Sequence, residues 1–590
     1  MTQETENSKK MAKGGNFLIT KTDETDISTP EDLSFEQKEL GNVANKFSLQ
    51  EVYSKSEKIE QKEEGVVTSL LKAAGALGLL MAEVPEAYGG LELNKACSTI
   101  IAENITHQGS FSVAFMCHTG IGLFPLLYYG NEDQKKKYLS KLASGEMIGA
   151  YALTEANAGT DAMSLHTNAK LSDDKKYYIL NGEKVFCTNG GIADLITIFA
   201  KIDGDKLTAF LVERGFEGVS FGKEEDKMGI LGSSTVSISL SDAKIPVENV
   251  LGEIGKGHKI AFNILNIGRW KLGAASIGAM KRSIEFMSSY ANERYQFNKP
   301  ISSFELIQLK IANSTILTYL AESQVYRLAG DWDQLMEVEQ DKKAALEEFA
   351  IEASITKVFC SEALQYVADE SVQLHGGYGY IREYPAEHQY RDCRINRIFE
   401  GTNEINRLII TQTLLKRALT EKIKLMDRLQ EILVQLKTGF PSTDPSNKFA
   451  PYIDQVEQLK RLAIYVAGVA VQKYTTELEK HQSTLATVAN IAIEAYALES
   501  GLIRAIKASN NNHPQQNLYQ TIIKTAIAER IPLISLEARQ TLINIASENS
   551  AETESYLKAF ARIISSTITE TSSLKNKIAK HILEREKYEF

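Results

Sequence analysis

One carboxylate has the setting of a catalyst. Glu400 follows Ile398-Phe399 and precedes Gly401 in the run Ile398-Phe-Glu-Gly-Thr-Asn-Glu-Ile405. A carboxylate between apolar residues and a glycine can be held in an apolar pocket at a helix entrance, where it acts as a base. The alternative is a first-turn acid favoured by the helix dipole. Upstream, Gln373-Leu-His-Gly-Gly-Tyr-Gly-Tyr380 forms a glycine-rich turn, and the stretch between the two is crowded with charge. His375, beside two glycines, reads as a loop residue rather than a catalyst.

Three further segments carry groups that suit a flavin or a phosphate. In Tyr151-Ala-Leu-Thr-Glu-Ala-Asn-Ala-Gly-Thr-Asp161, Thr154, Gly159 and Thr160 offer hydroxyls and bare backbone N–H groups. The same segment also reads as a polar domain junction. In Val185-Phe-Cys-Thr-Asn-Gly-Gly191, Phe186 could lie against a planar ring with Thr188 in hydrogen-bond reach, although an aromatic in a strand is usually core. In Arg294-Tyr-Gln-Phe-Asn-Lys-Pro-Ile301, Arg294 could grip a pyrophosphate through two parallel hydrogen bonds, or be a solvated helix-end cation.

Other chemistries are excluded by spacing. Gly252-Glu-Ile-Gly-Lys-Gly257 is followed by His258, not the Lys-Ser/Thr of a phosphate loop. Gly376-Gly-Tyr-Gly379 has the wrong spacing for a dinucleotide fingerprint and follows a helical pattern, not a strand. HExxH and GxSxG motifs are absent, and the histidines do not cluster, so no metal is expected. Five scattered cysteines without a CxxC argue against a disulfide framework or zinc site and fit a reducing compartment.

These residues need a scaffold. The chain has 590 residues, 24% of them charged, with a net charge of −10, which gives no electrostatic footprint for nucleic acid. Residues 1–30 read as a loose polar tail, and Met1 to Gly15 lacks the apolar core of a signal peptide. The longest smooth apolar stretch, Ala73 to Ala82, is about half of what spans a bilayer, so a soluble, cytoplasmic protein is expected. Residues 31–150 are helical, opened by Pro30-Glu-Asp and carrying Leu70, Leu71, Ala74, Leu77 and Leu80 at helical spacing.

Residues 151–255 change to a β pattern. Tyr178 to Phe186 around Asn181-Gly182 reads as a hairpin; Leu195–Ala200, Leu207–Val212 and the alternating Val236, Ile238, Leu240 read as strands. Residues 256–418 return to long helical patterns. Residues 419–590 form a helical extension, with a proline-rich linker at Gly439–Tyr452 and a break at Ser509–Pro514. The fold class is α+β.

Six segments in order resemble the acyl-CoA dehydrogenase family: YALTEANAGTD, FCTNGGIAD, DKMGILGSST, RYQFNKPI, QLHGGYGYIREYP and FEGTNEINRL. The resemblance runs from about Pro30 to Leu415. Asn263-Ile-Leu-Asn-Ile-Gly-Arg269 and the extension are most similar to the very-long-chain branch and its bacterial relatives. It implies an N-terminal helical domain, a central β domain, a four-helix bundle and an extra helical C-terminal domain, with FAD between the β domain and the bundle. Thr154 and Thr188 would hydrogen-bond the flavin, Phe186 would face it, and Thr402 and Glu404 would complete the contacts. Arg294, Phe297, Gln373 and Gly377 would reach the FAD of a neighbouring subunit in a homodimer. Thr160 and Arg269 would lie near the acyl-CoA.

Glu400 would remove the α-proton, with its backbone N–H helping to bind the thioester oxygen. A hydride would pass to flavin N5, giving a trans-2-enoyl-CoA in fatty acid β-oxidation, and electrons would leave through an electron-transfer flavoprotein. An acyl-CoA oxidase and a non-catalytic assembly member are the alternatives. The chain departs from the family pattern at Ala156, where proline is usual, at Thr160, where serine is usual, and at Phe186, where many relatives carry tryptophan. The extension lacks a dense basic amphipathic stretch, so membrane association is not expected.

Overall fold

The computed structural model describes residues 12–21, 24–565 and 568–590. Seven helices form the first domain: α1 (Phe35–Phe47), α2 (Ser56–Glu60), α3 (Val66–Ala76), α4 (Lys95–Asn104), α5 (Gly109–Cys117), α6 (Phe124–Tyr129) and α7 (Glu132–Ser144). Their ends are written in the sequence. Ser34 and Gln37 make a capping box on α1, and Asn131 and Gln134 make one on α7. The α3 face of Leu70, Leu71 and Ala74 is buried as its spacing requires.

Two expectations are corrected here. Among the described residues the long apolar helical stretch is Gly109–Tyr129, not Ala73–Ala82. It is long and apolar enough to cross a membrane by composition, yet most of it is buried inside the protein. Nor are residues 12–21 loose. The N–H groups of Gly14 and Gly15 donate to Glu348 Oε1 at 3.0 Å and Glu352 Oε1 at 2.7 Å, while Phe17 meets Tyr496 edge-on at 5.0 Å. Buried carboxylates that need donors and an aromatic pocket draw this segment in. Residues 1–11 of the expected tail lie outside the described residues.

The β domain holds β1 (Gly149–Ala152), β2 (Asn168–Leu171), β3 (Tyr177–Thr188), β4 (Leu195–Ile202), β5 (Lys206–Glu213), β6 (Val219–Phe221), β7 (Thr235–Pro246) and β8 (Val250–Leu251). The sheet order is β6-β7-β3-β2-β4-β5-β8, and β1 pairs in parallel with β4. On β4, Leu195 and Phe199 join the helical core while Ile196, Ile198 and Ala200 join a separate core on the other face, the two-residue period of a strand covered on both sides.

The expected turn at Asn181-Gly182 is not a turn. Both residues lie inside the continuous β3. Asn181 instead brackets a bulge in β7, exchanging hydrogen bonds with Asp242 at 2.9 and 3.0 Å. Gly182, at φ 152°, allows close approach: a Cβ there would sit 2.4 Å from Thr167 Oγ1. A dipeptide suited to a type I′ turn is thus used for a bulge and a tight crossing.

Helices α8 (Gly257–Glu293), α9 (Glu305–Val338), α11 (Ala350–His375) and α13 (Asn403–Leu419) make the bundle, with short α10 (Lys342–Glu348) and α12 (Pro385–Cys393) between them. A two-stranded ribbon, β9 (Tyr295–Gln296) and β10 (Lys299–Pro300), follows α8. The extension supplies α14 (Leu425–Thr438), α15 (Ala450–Tyr474), α16 (Gln482–Asn510), α17 (Gln516–Ala546), α18 (Ser550–Ile563) and α19 (Ser572–Arg585). It is locked to the bundle by buried ion pairs. Arg504 on α16 binds Glu322 of α9 and Glu31, each at 2.6 Å, and Arg327 of α9 binds Glu499 of α16 at 2.9 Å.

Candidate active site

Glu400 sits two residues before Thr402, the residue that caps α13 by accepting from the Ile405 N–H. It is therefore outside the first helical turn, and Glu404 is the acid favoured by the helix dipole. The Glu400 backbone is left-handed, with φ 59°, a strained conformation for a residue with a long side chain. Surrounding contacts hold it there. Arg269 Nε donates to Glu400 O at 3.2 Å, Asn406 Nδ2 donates to Gly401 O at 2.8 Å and Thr402 O at 3.0 Å, and Lys357 Nζ donates to Gly401 O at 2.8 Å. Among the described residues no protein acceptor takes the Glu400 N–H.

The carboxyl group rests on bare backbone. A Cβ at Gly268 of α8 would lie 2.4 Å from Glu400 Oε2. Glu400 as a residue is half-buried, but Oε2 has almost no solvent-accessible surface and no hydrogen-bond partner. Burial pushes the carboxyl up to about 7, against the pull of the Arg269 and Lys357 charges. Burial likewise pushes Lys357 down to about 7. A carboxylate poised near neutrality, unpartnered and shielded from water, is what proton abstraction at pH 7 requires.

Glu400 lines a cavity of about 750 Å³ together with Cys117 and Ile121, Thr188 from the end of β3, and Gly268, Leu272, Ala275, Ala279, Arg282 and Phe286 along one face of α8. The β-domain side is assembled by two strand-edge contacts. Val185 N donates to Thr154 O at 2.9 Å, and Lys184 Nζ donates to Glu155 Oε1 at 2.6 Å in a buried pair. Burial acts to raise the Glu155 carboxyl, but Lys184 and donors from Thr167 and His166 outweigh it and hold it at about 2. Phe186 then bulges from the ladder at φ 57° with 65% of its surface exposed. Cys117 Sγ lies 3.6 Å from Thr188 O and feels the Glu400 charge, which sets the Thr188 end of β3 and Glu400 about one thiol.

Comparison with known proteins is decisive for the family. Acyl-CoA dehydrogenase N-terminal, middle and C-terminal domain models match residues 34–146, 150–243 and 255–415, and a further acyl-CoA dehydrogenase C-terminal domain matches 458–559. A protein of Bacillus subtilis (strain 168) described as a probable acyl-CoA dehydrogenase is 44% identical over 98% of both chains. The chain belongs to the acyl-CoA dehydrogenase family. The crystal structure of an acyl-CoA dehydrogenase complexed with FAD from Bacillus anthracis is similar over 98% of this chain and all of that one, with 43% identity and a TM-score of 0.96. The mitochondrial very long-chain specific acyl-CoA dehydrogenase of Mus musculus is 40% identical over 65% of this chain and 58% of its own length.

The residues present fit the FAD of this acyl-CoA dehydrogenase family. An aromatic that leaves its strand to stand exposed has no packing role in this chain, and Thr154 and Thr188 flank it. Thr402 and Glu404 stand at the α13 entrance beside Glu400. Arg294, Phe297, Gln373 and Gly377 line no part of the cavity; all four are exposed, with the Arg294 guanidinium 5.6 Å from the Tyr378 ring and Phe297 85% exposed. His375 is the buried last residue of α11, stacked on Tyr290 at 4.3 Å.

The two residues expected near the acyl-CoA stand outside the cavity lining. Arg269 does not line the cavity. Its buried guanidinium binds Glu400 O, Asn266 Oδ1 and Ser354 Oγ, so it positions the base. Thr160 is exposed and also outside the cavity lining. Sequence reading missed Gly268, Lys357 and Asn406. Lys357 had a signal, a lone lysine in the apolar α11 run Ile355-Thr-Lys-Val-Phe359.

Proposed function

We propose that this protein is an FAD-dependent dehydrogenase of long-chain acyl-CoA that acts in fatty acid β-oxidation. The observation that carries the reading is Glu400: unpartnered, shielded and near neutrality at one end of a long cavity. Ionised Glu400 takes the α-proton of the thioester. FAD, when bound, supplies the acceptor for the β-hydride and the means to pass electrons onward. The free Glu400 N–H is available to the thioester oxygen as negative charge develops there, and such donors lower the barrier by several kcal/mol. Arg269, Asn406 and Lys357 keep the Glu400 turn in its strained conformation, so geometry is set before substrate arrives. Removal of water from Oε2 strengthens each of these interactions.

The long-chain reading is supported by the length of helix along the cavity. Gly268 to Phe286 spans eighteen residues of helix, about 27 Å at 1.5 Å per residue, with the base at one end. That length favours long over short acyl chains. Exposed Arg294, Phe297, Gln373 and Gly377 support a homodimer in which these groups serve the partner's cofactor. The electron acceptor in this reading is an electron-transfer flavoprotein.

The test is anaerobic bleaching of the bound flavin by saturated acyl-CoAs from short to very long chains, followed by admission of air. Bleaching that is fastest with long chains, with slow reoxidation in air, is expected. No bleaching by any chain would overturn the dehydrogenase reading, and fast reoxidation would favour an oxidase.

A further inference from the structure

The cavity changes character along its length. Near Glu400 its wall is Cys117, Met116, Leu272 and Phe399. About fourteen residues further along α8, roughly 21 Å by helix rise, the wall becomes Glu60, Gln108, Arg282, His388 and Asp392. These come from α2, the turn before α5, α8 and α12. Their meeting point is fixed by Gln389 of α12, which donates to Ala279 O of α8 at 2.7 Å and accepts from Ser283 Oγ at 2.7 Å.

The cluster is built, not incidental. Glu60 Oε1 accepts from Gln108 Nε2 at 2.6 Å and from Ser110 Oγ at 2.5 Å. His388 Nε2 lies 3.3 Å from Asp392 Oδ2 and 3.5 Å from Glu60 Oε2. His388 Nε2 and Glu60 Oε2 face each other as an ion pair too long for a hydrogen bond of good geometry, so both keep hydrogen-bonding capacity. Arg282 pairs with Glu285 at 2.6 Å through one terminal nitrogen while its buried Nε has no hydrogen-bond partner, and the Glu60 and Asp392 carboxylates on either side of His388 disfavour a further carboxylate. Burial lifts the Asp392 carboxyl to about 6, so the group both donates and accepts near neutral pH.

An alkyl terminus that reached this cluster would strip water from charged groups and return nothing. A hydroxyl both donates and accepts, and it matches the mixture of groups present. We propose that the far end of the cavity is a recognition site for a hydroxyl at the distal end of the acyl chain, read by Glu60, His388 and Asp392. This inference rests on the acyl-CoA reading of the cavity.

The test compares kcat/KM for hexadecanoyl-CoA and its ω-hydroxy derivative on the FAD-loaded enzyme. The wild type is expected to favour the hydroxy substrate about tenfold, the worth of one or two hydrogen bonds to this cluster. His388→Leu and Glu60→Leu should each bring the ratio to about one, with flavin absorbance and melting temperature as checks on folding. A wild-type ratio of one or below, with hexadecanoyl-CoA turned over, overturns the inference and leaves the dehydrogenase reading intact. Folded variants that keep the tenfold preference overturn the assignment to this cluster. Failure of both substrates to bleach the flavin removes the acyl-CoA reading and the inference with it. If neither variant folds, the wild-type ratio decides alone.

Discussion

The titration of Glu400 makes a quantitative prediction about rate and pH. Its carboxyl is raised from an ordinary 4.5 to about 7, chiefly by burial. The folded state therefore holds this proton more tightly than the unfolded chain does. The resulting stability is fully present below about pH 4.5 and is lost as pH rises through about 7, to a total of about 3 kcal/mol for a shift of roughly 2.5 units. Ionised Glu400 is thus a base kept under strain, and taking a proton relieves it. The ionised fraction is roughly a tenth at pH 6 and nine tenths at pH 8, so kcat/KM should rise about ninefold between them and level off above. Lys357 titrates in the same window, so the wild-type profile belongs to the pair. Lys357→Met removes the second titration and one stabilising charge, and should leave a single limb displaced upward. The assay is kcat/KM for a long-chain acyl-CoA with an artificial acceptor across pH 5.5 to 9 in the FAD-loaded enzyme. A flat profile from about pH 6 to 8, or a limb near the ordinary carboxylate value, would refute the reasoning.

Three further predictions concern the scaffold. Phe186→Ala should weaken FAD binding about tenfold, the worth of one aromatic face, while hardly moving the melting temperature of the FAD-free protein; a flavin titration measures the first. Lys184→Met leaves Glu155 buried without its cation, and should cost about 3–5 kcal/mol and lower the melting temperature by thermal shift. Phe297→Asp, at an exposed ribbon tip, should yield monomers with reduced flavin content in sedimentation with absorbance detection; a dimer with full flavin would contradict the shared-site reading.

What could be read from sequence was what periodicity and short motifs encode. Helix α3 shows in its apolar spacing, and strand β7 shows in its alternation, because burial on one face imposes a period. Asn181-Gly182 misled because the same backbone freedom that makes a tight turn also serves a bulge, and only the partner strand decides between them. Residues 12–21 read as loose because the Glu348 and Glu352 carboxylates that hold Gly14 and Gly15 lie more than three hundred residues away in sequence. Arg269 is adjacent to Gly268 on α8, but whether it faces substrate or the back of the base depends on the α13 entrance packed behind it. The distal polar cluster draws on α2, α8, α12 and the turn before α5, so no local pattern announces it.

The central claim, that Glu400 is the base, is tested most directly by Glu400→Gln. The amide keeps the shape and removes the charge, and Phe186 is not among the residues lining the Glu400 cavity. The variant should purify yellow with full FAD, bind acyl-CoA and show no flavin bleaching, with turnover reduced by at least the 10²–10⁴-fold worth of a general base. Turnover within a few-fold of the wild type in that flavin-loaded variant would show that the proton goes elsewhere.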